Sequence, residues 1–315
     1  MEHEPVLVDE VVRLLEPALA GGGVLVDATL GGAGHARRLL DAERDIELVG
    51  IDRDPGALDT SGANLSEHQE RVRLVRDDFS NLASVLERLG IAKVRGVLLD
   101  LGVSSPQLDT ASRGFSYRAP GPLDMRMDPT QRLTASEVVN SYTKQDLQRV
   151  IALHGEERFA SRIAAAIVEA RPVRDTVTLA EVVREAIPAA TRRKGPHPAR
   201  RTFQALRIEV NGELDALDAV LPVALAALAP GGRVAVLSYH SLEDRAVKRF
   251  FNEEAGGCTC PPDFPVCVCG ARARVRVLTR RPIRPPADEI VHNRRASAAR
   301  LRAAERLVDA ELEPA

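Results

Sequence analysis

The stretch Val24-Leu25-Val26-Asp27-Ala28-Thr29-Leu30-Gly31-Gly32-Ala33-Gly34-His35-Ala36 decides the fold. An apolar strand ends in an acid, and a glycine-rich turn then opens a helix. Glycines reach positive φ and leave room for a ligand against the main chain, while the start of the helix aims free N–H groups at that ligand. A second strand, Glu47 to Ile51, delivers Asp52 about twenty residues downstream, where a carboxylate can accept hydrogen bonds from both hydroxyls of a ribose. The two elements together imply an adenosine-bearing ligand.

Glycine spacing narrows the choice. A dinucleotide turn ends on Gly or Ala, but counting from Gly32 the sequence reads Gly-Ala-Gly-His-Ala-Arg, with Arg37 in the last slot. That is a poor pyrophosphate cradle and argues against a nicotinamide-dependent oxidoreductase. Asp27 would repel a diphosphate and attract an ammonium or sulfonium. S-adenosylmethionine fits this description better than NAD. The competing reading is a tight turn with no ligand at all, which Asp52 weakens.

Bulk properties set the frame. The 315 residues are 44% hydrophobic and 28% charged, the composition of an ordinary folded protein with an ample core. The N-terminus lacks the basic and apolar regions of a secretory leader, and no apolar run is long enough to span a bilayer, so the expected compartment is cytoplasmic, with no membrane partner. Net charge is only −2, so any attraction to phosphate must be local. Two basic stretches offer it: Arg192, Arg193, Lys194, Arg200 and Arg201, and Arg272, Arg274, Arg276, Arg280, Arg281 and Arg284. Solvated surface charge is an equal alternative for each.

Strands are expected at Val24 to Ala28, Glu47 to Ile51, Val72 to Val75 and Gly96 to Leu101, with helical segments between them; such alternation is a parallel α/β sheet. Helix signals then take over for roughly a hundred residues. Thr143 precedes an amphipathic run ending near Gly155, Phe159, Ile163 and Ile167 recur every four residues, and Thr178-Leu179-Ala180-Glu181 reads as a capping box. A helical pattern from about Thr202 through Ala229 follows, then a strand from Arg233 to Ser238. The expected organisation is a first part of the α/β domain over residues 1–108, a helical insertion over 109–201, and a second part over 202–315 with a basic C-terminal segment. From Ala296 the tail reads as a surface helix or a frayed end.

Ligands of open parallel sheets bind beyond the carboxyl ends of the strands. That places Asp27, Asp52, Asp77 to Phe79, Asp100 to Pro106 and Tyr239 to Ser241 on one rim. Phe79 could pack on an adenine face, with Asp77 or Asp78 accepting from its amino group; a core phenylalanine is the alternative. Asp100-Leu101-Gly102-Val103-Ser104-Ser105-Pro106-Gln107 carries the most weight, because a short polar residue followed by proline resembles the loop with which amino-methyltransferases hold an exocyclic amine. The lone pair of such an amine is delocalised into its ring, so acceptors around its hydrogens must raise its reactivity. With an activated methyl donor, alignment matters more than a strong base. No nucleophile, base and acid triad is evident, and His240 reads as a residue lining the site.

Four longer segments carry a resemblance. Asp100 to Asp109 (DLGVSSPQLD), Gly121 to Asp128 (GPLDMRMD), Arg201 to Arg207 (RTFQALR) and Ser238 to Arg245 (SYHSLEDR) resemble, in order and across nearly the whole chain, the signatures of the MraW-type family of S-adenosylmethionine-dependent 16S ribosomal RNA cytosine-N4 methyltransferases. The resemblance implies a Rossmann-like methyltransferase sheet interrupted by an all-α helical domain. It also implies cofactor contacts at Ala33, Gly34, His35, Asp52, Phe79, Asp100 and Gln107, and catalysis at Asp100, Ser104, Ser105 and Pro106. The implied substrate is a decoding-centre cytidine of 16S RNA in the small ribosomal subunit, unpaired or turned out so that N4 is free. Tyr239 and Phe115 are the candidate neighbours of its ring. Aromatics make up only 3% of the chain, too few for a broad stacking platform, which favours a folded RNA over a free strand. A non-catalytic assembly factor that retains a cofactor pocket is the second reading, and whether the chain forms a homodimer stays open.

Cys258, Cys260, Cys267 and Cys269 could hold zinc, but one residue between paired cysteines is tight for a structural site. A reduced knuckle and redox chemistry are the alternatives.

Overall fold

A computed structural model describes residues 5–192, 197–256 and 272–308. The cysteine pairs, together with Arg193 and Lys194, lie outside the described residues. The helices are α1 Val8–Leu19, α2 Gly34–Ala42, α3 Pro55–Asn64, α4 Leu82–Arg88, α5 Ser105–Asp109, α6 Ala135–Ser141, α7 Lys144–Gly155, α8 Ala160–Glu169, α9 Thr176–Ala186, α10 Ala189–Arg192, α11 Arg200–Asn211, α12 Glu213–Ala227, α13 Ser241–Glu254 and α14 Ala287–His292. The strands are β1 Gly23–Asp27, β2 Ile46–Asp52, β3 Val72–Arg76, β4 Val94–Asp100, β5 Leu228–Ser238, β6 Val275–Val277 and β7 Arg300–Arg306. Two compact units result: residues 1–102 with 215–315, and residues 103–214.

The first unit is the Rossmann-like sheet, in the order β3-β2-β1-β4-β5-β7-β6. β1 to β5 run parallel, and β7 pairs antiparallel with both β5 and β6. The sequence accounts for this through its period of two. Leu25, Leu48 and Leu98 face one apolar layer with α1 and α2, whereas Val26, Val49 and Val97 face another with α4, α12 and α13. Covering both faces buries the strands almost completely. The three acids that end β1, β2 and β4, namely Asp27, Asp52 and Asp100, therefore share the carboxyl edge of neighbouring strands.

β7 corrects the reading of the tail. Residues 300–306 form an internal strand, with Leu301, Ala303 and Ala304 buried and Ser238 registered against Arg300. Charged and apolar residues alternate poorly here, and alanine favours helix, so local propensity pointed the wrong way and pairing with β5 overrode it.

The second unit has its own apolar core, drawn from α6 to α9 and α11. Its limits differ from the expected 109 and 201. Val103 and Leu108 pack on this core, and α11 contributes Phe203, Leu206 and Val210 to it, so the unit extends to Leu214. The single helix expected from Thr202 to Ala229 is two, α11 and α12, separated at Gly212, whose φ of 59° lies in the left-handed region that ends helices. α9 begins earlier than the capping box suggested. Asp175 is its cap, with its carboxylate accepting from the Thr178 amide at 2.9 Å.

Candidate functional site

The site in the first unit starts at Asp27. Only 2% of it is exposed, its Oδ1 accepts from the Thr29 amide at 3.2 Å, and burial pushes its carboxyl up to about 7, helped by the charges of Asp100 and Asp52 and opposed by the Thr29 amide. A nearby cation would favour the ionised form of such an acid. The turn that follows is folded back on the sheet by Leu30, whose amide donates to the Ile51 carbonyl at 3.0 Å. Ala33 then caps α2 in the left-handed region, with φ of 60°.

Gly34 also has a packing role. A Cβ there would meet the Pro5 ring 3.0 Å away, so the absence of a side chain makes room for the N-terminal segment. At Gly32, by contrast, nothing lies within 4 Å of where a side chain would sit. His35, the next residue on α2, is buried, with Nε2 2.8 Å from the Val6 carbonyl oxygen. No pattern in the sequence pointed to Pro5 and Val6.

Asp52 holds the glycine turn in place. Its Oδ2 accepts from the Gly31 amide and its Oδ1 from the Asp54 amide, each at 2.9 Å, leaving lone pairs on both oxygens for further donors. Burial raises its pKa, and these two amide bonds limit the rise. Beyond β3, Phe79 is half-buried against the apolar layer of the sheet. Its two acidic neighbours are committed elsewhere. Asp77 accepts from Arg88 and Asn81, each at 2.7 Å, and Asp78 from Arg53 at 3.0 Å. Burial of Asp77 favours its neutral form, but the bonds from Arg88 and Asn81 outweigh it and hold the carboxyl below its usual range.

Asp100 meets Thr29, Tyr239 and His35. Its amide donates to Thr29 Oγ1, its Oδ1 accepts from the Tyr239 hydroxyl at 2.8 Å, and its Oδ2 faces His35 Nδ1 at 3.6 Å. Burial, followed by the Asp100 charge, lifts the Tyr239 phenol well above 10, so it stays a donor. The pairing also redefines Tyr239, expected beside a substrate ring: its hydroxyl orients an acid. His240 caps α13, with Nδ1 accepting from the Glu243 amide at 3.4 Å. Thr29 was missed because nothing in a sequence distinguishes a threonine that bonds a strand end from one that fills a turn.

Ser104, Ser105, Pro106 and Gln107 open the second unit. Ser104 caps α5, and its amide donates to Gln107 Oε1 at 3.1 Å, so Gln107 is buried as part of a capping box. Ser104 and Gln107 thus cap α5 and belong to the second unit. Phe115, expected near a substrate ring, belongs to the second unit's core. Gly121 to Asp128 has a packing pattern that its charges concealed: Leu123, Met125 and Met127 alternate inward, while Asp124 accepts a two-pronged pair of bonds from Arg126 at 2.9 and 2.8 Å. Arg201 to Arg207 lies within α11, with Thr202, Phe203, Ala205 and Leu206 buried, and ends in an Arg207–Glu213 fork with both bonds at 2.8 Å.

The donor set suits a cationic adenosine ligand. Three carboxylates line the strand ends, the backbone at Gly32 is open, and an aromatic lies beyond β3. The sequence comparison decides between ligand classes, because the model of the MraW methylase family matches residues 1–307. The chain belongs to the MraW methylase family. It is 50% identical over 310 residues to a ribosomal RNA small subunit methyltransferase H from Heliobacterium mobile, covering 97% of this chain and 99% of that one. It is 53% identical over 311 residues to the protein of the same name from Acidothermus cellulolyticus, covering 98% and 94%. Among solved structures, an rRNA methylase from Streptococcus thermophilus is similar at a TM-score of 0.42 and 12% identity, covering 96% of this chain and 94% of that one. Among the described residues of this MraW-family chain, no helix is long and apolar enough to cross a membrane.

Proposed function

We propose that this protein is an enzyme that transfers a methyl group from S-adenosylmethionine to N4 of a cytidine in 16S ribosomal RNA. The observation that carries this reading is membership of the MraW methylase family over residues 1–307; the strand-end acids supply its chemical sense. S-adenosylmethionine, when bound, supplies a methyl group already activated by the sulfonium. This chain's residues have the work of binding and alignment. Asp52 offers its free lone pairs to the ribose hydroxyls, and Phe79 offers a flat apolar face to adenine. Ala33, Gly34 and His35 form the turn against which the donor rests, and Asp27 answers its positive charge. Within the first unit Asp100 takes the methyl end, and the family resemblance assigns catalysis to Ser104, Ser105 and Pro106 and a cofactor contact to Gln107. A folded 16S RNA within the small subunit is the proposed substrate.

The test is mass spectrometry of 16S RNA before and after incubation of small subunits from cells lacking this protein with the purified chain and isotopically labelled donor. Gain of one labelled methyl, recovered as N4-methylcytidine, is expected. Label on another nucleoside, or none in the RNA, overturns the reading.

A further inference from the structure

The loop that enters β7 lies off the same edge of the sheet as the strand-end acids. β7 runs antiparallel to β5, and its first residue, Arg300, is registered against Ser238, the last residue of β5. On the other side of β5, Leu237 is registered against Asp100. The residues before Arg300 therefore project from the carboxyl edge. Reciprocal backbone bonds between Ile283 and Leu301, at 3.0 and 2.9 Å, close the loop at its base. Buried Ala296 and Ala299 tie it into the apolar layer of α1 and α2. Glu289, on α14 within the loop, accepts from the Leu7 amide at 2.9 Å, next to the Val6 carbonyl that meets His35, and its charge acts on Tyr239. The loop is thus an anchored wall of the site.

This wall is basic. From Arg280 to Arg295 the chain holds five arginines against two acids, Asp288 and Glu289, in a protein whose net charge is −2. Arg280, Arg281, Arg284 and Arg294 are exposed, and among the described residues their side chains form no hydrogen bond or ion pair. Their neighbours in the same basic stretch differ: Arg274 and Arg276 are answered by Glu254 and Glu305, 3.1 and 2.5 Å away. A cytidine in the site is tied to its neighbours through phosphates, and those phosphates must pass over the rim. The strand-end carboxyls, as they ionise, repel them. Unpaired arginines on the rim offset that repulsion within a Debye length of about 8 Å, and the guanidinium fork matches the geometry of a phosphate.

Resting on the proposed N4 methylation, we propose that the loop entering β7 is a ledge for the RNA backbone, on which Arg284 and Arg294 hold phosphates of the strand flanking the target cytidine, with Arg280 and Arg281 just before the loop. Such contacts carry no base information. They set how firmly and in what orientation the strand lies across the rim, while the choice of nucleoside stays with the site. The ledge accounts for two unlike halves of one basic stretch: Arg274 and Arg276 serve the fold through their acids, and the arginines from 280 onward keep their donors for a partner.

The test compares the full chain with Arg284→Gln/Arg294→Gln and with Arg13→Gln/Arg249→Gln, which removes the same charge from sites paired with Glu10 and Asp218. Binding to small subunits from cells lacking this protein, and to protein-free 16S RNA, is followed by fluorescence anisotropy from low to physiological salt, without donor. The loop variant should lose affinity for both by about tenfold. Its plot of log affinity against log salt should be shallower by about 1.4, at about 0.7 per phosphate. The KM for subunits in methyl transfer should rise by a similar factor, with cofactor affinity by calorimetry and melting temperature retained, and the control pair should match the wild type. Equal losses in the two variants would reduce the effect to net charge, unchanged affinity would remove the ledge, and a loss confined to intact subunits would assign the loop to a ribosomal protein; each overturns the proposal. Arginine-dependent binding by a wild type that transfers no methyl to N4 would instead refute the functional reading and leave the ledge standing.

Discussion

The amide of Gly31 donates to Oδ2 of Asp52 at 2.9 Å, so the acid that ends the second strand anchors the turn that follows the first. Asp52 is therefore both a proposed ribose ligand and the clamp on the turn that a ligand would touch. Asp52→Ala removes an ionic hydrogen bond to Gly31 and another to Asp54. Such bonds contribute roughly 1.5 to 3 kcal/mol each, partly regained from water on deletion. The variant should unfold at lower urea and lose cofactor binding by calorimetry; full stability together with lost binding would assign Asp52 to the ligand alone.

Asp27 gives the apoprotein a pH signature. Its native pKa of about 7 lies above its ordinary value of 3.8, so the folded state holds the proton more tightly than the unfolded chain. Its contribution to stability is fully present below about pH 4, declines between about 4 and 7, and is flat above, a total change of about 4 kcal/mol. Asp27→Asn should remove that slope. Urea titrations at pH 5 and pH 8 on both proteins check it: the variant should gain on the wild type at pH 8 relative to pH 5, and equal slopes would contradict it.

Tyr239→Phe deletes the donor to Asp100 while keeping the ring. Methyl transfer should fall about tenfold, as expected for loss of one aligned hydrogen bond to a charged group, with the melting temperature nearly unchanged. Full activity would show that Asp100 needs no orientation from the phenol.

Asn211 carries no proposed chemistry, yet it joins distant parts of the second unit. Its Oδ1 accepts from the Met127 amide, and its Nδ2 donates to the Met125 and Arg207 carbonyls. Asn211→Leu strands these buried groups and should cost about 2 to 4 kcal/mol by denaturant unfolding.

Removing residues 300–315 deletes β7, which fills the place between β5 and β6. The truncated chain should show no cooperative thermal transition by circular dichroism. The milder Leu301→Ala should cost about 2 to 5 kcal/mol at a fully buried position.

The sequence by itself determined the parallel strands, the glycine turn and the acids that end the strands. These are local: a period of two, a turn that demands glycine, and an acid at a strand's last residue can each be read within about ten residues. It also announced the helical character of the second unit through spacing at Ile163 and Ile167. Only the tertiary structure decided what each acid faces. Pro5 against Gly34, Val6 against His35, Tyr239 against Asp100 and β7 against β5 join residues 29 to 139 positions apart, or a strand to a partner more than sixty residues away. Such pairings arise from the packing of the whole sheet, and no local preference of the chain encodes them.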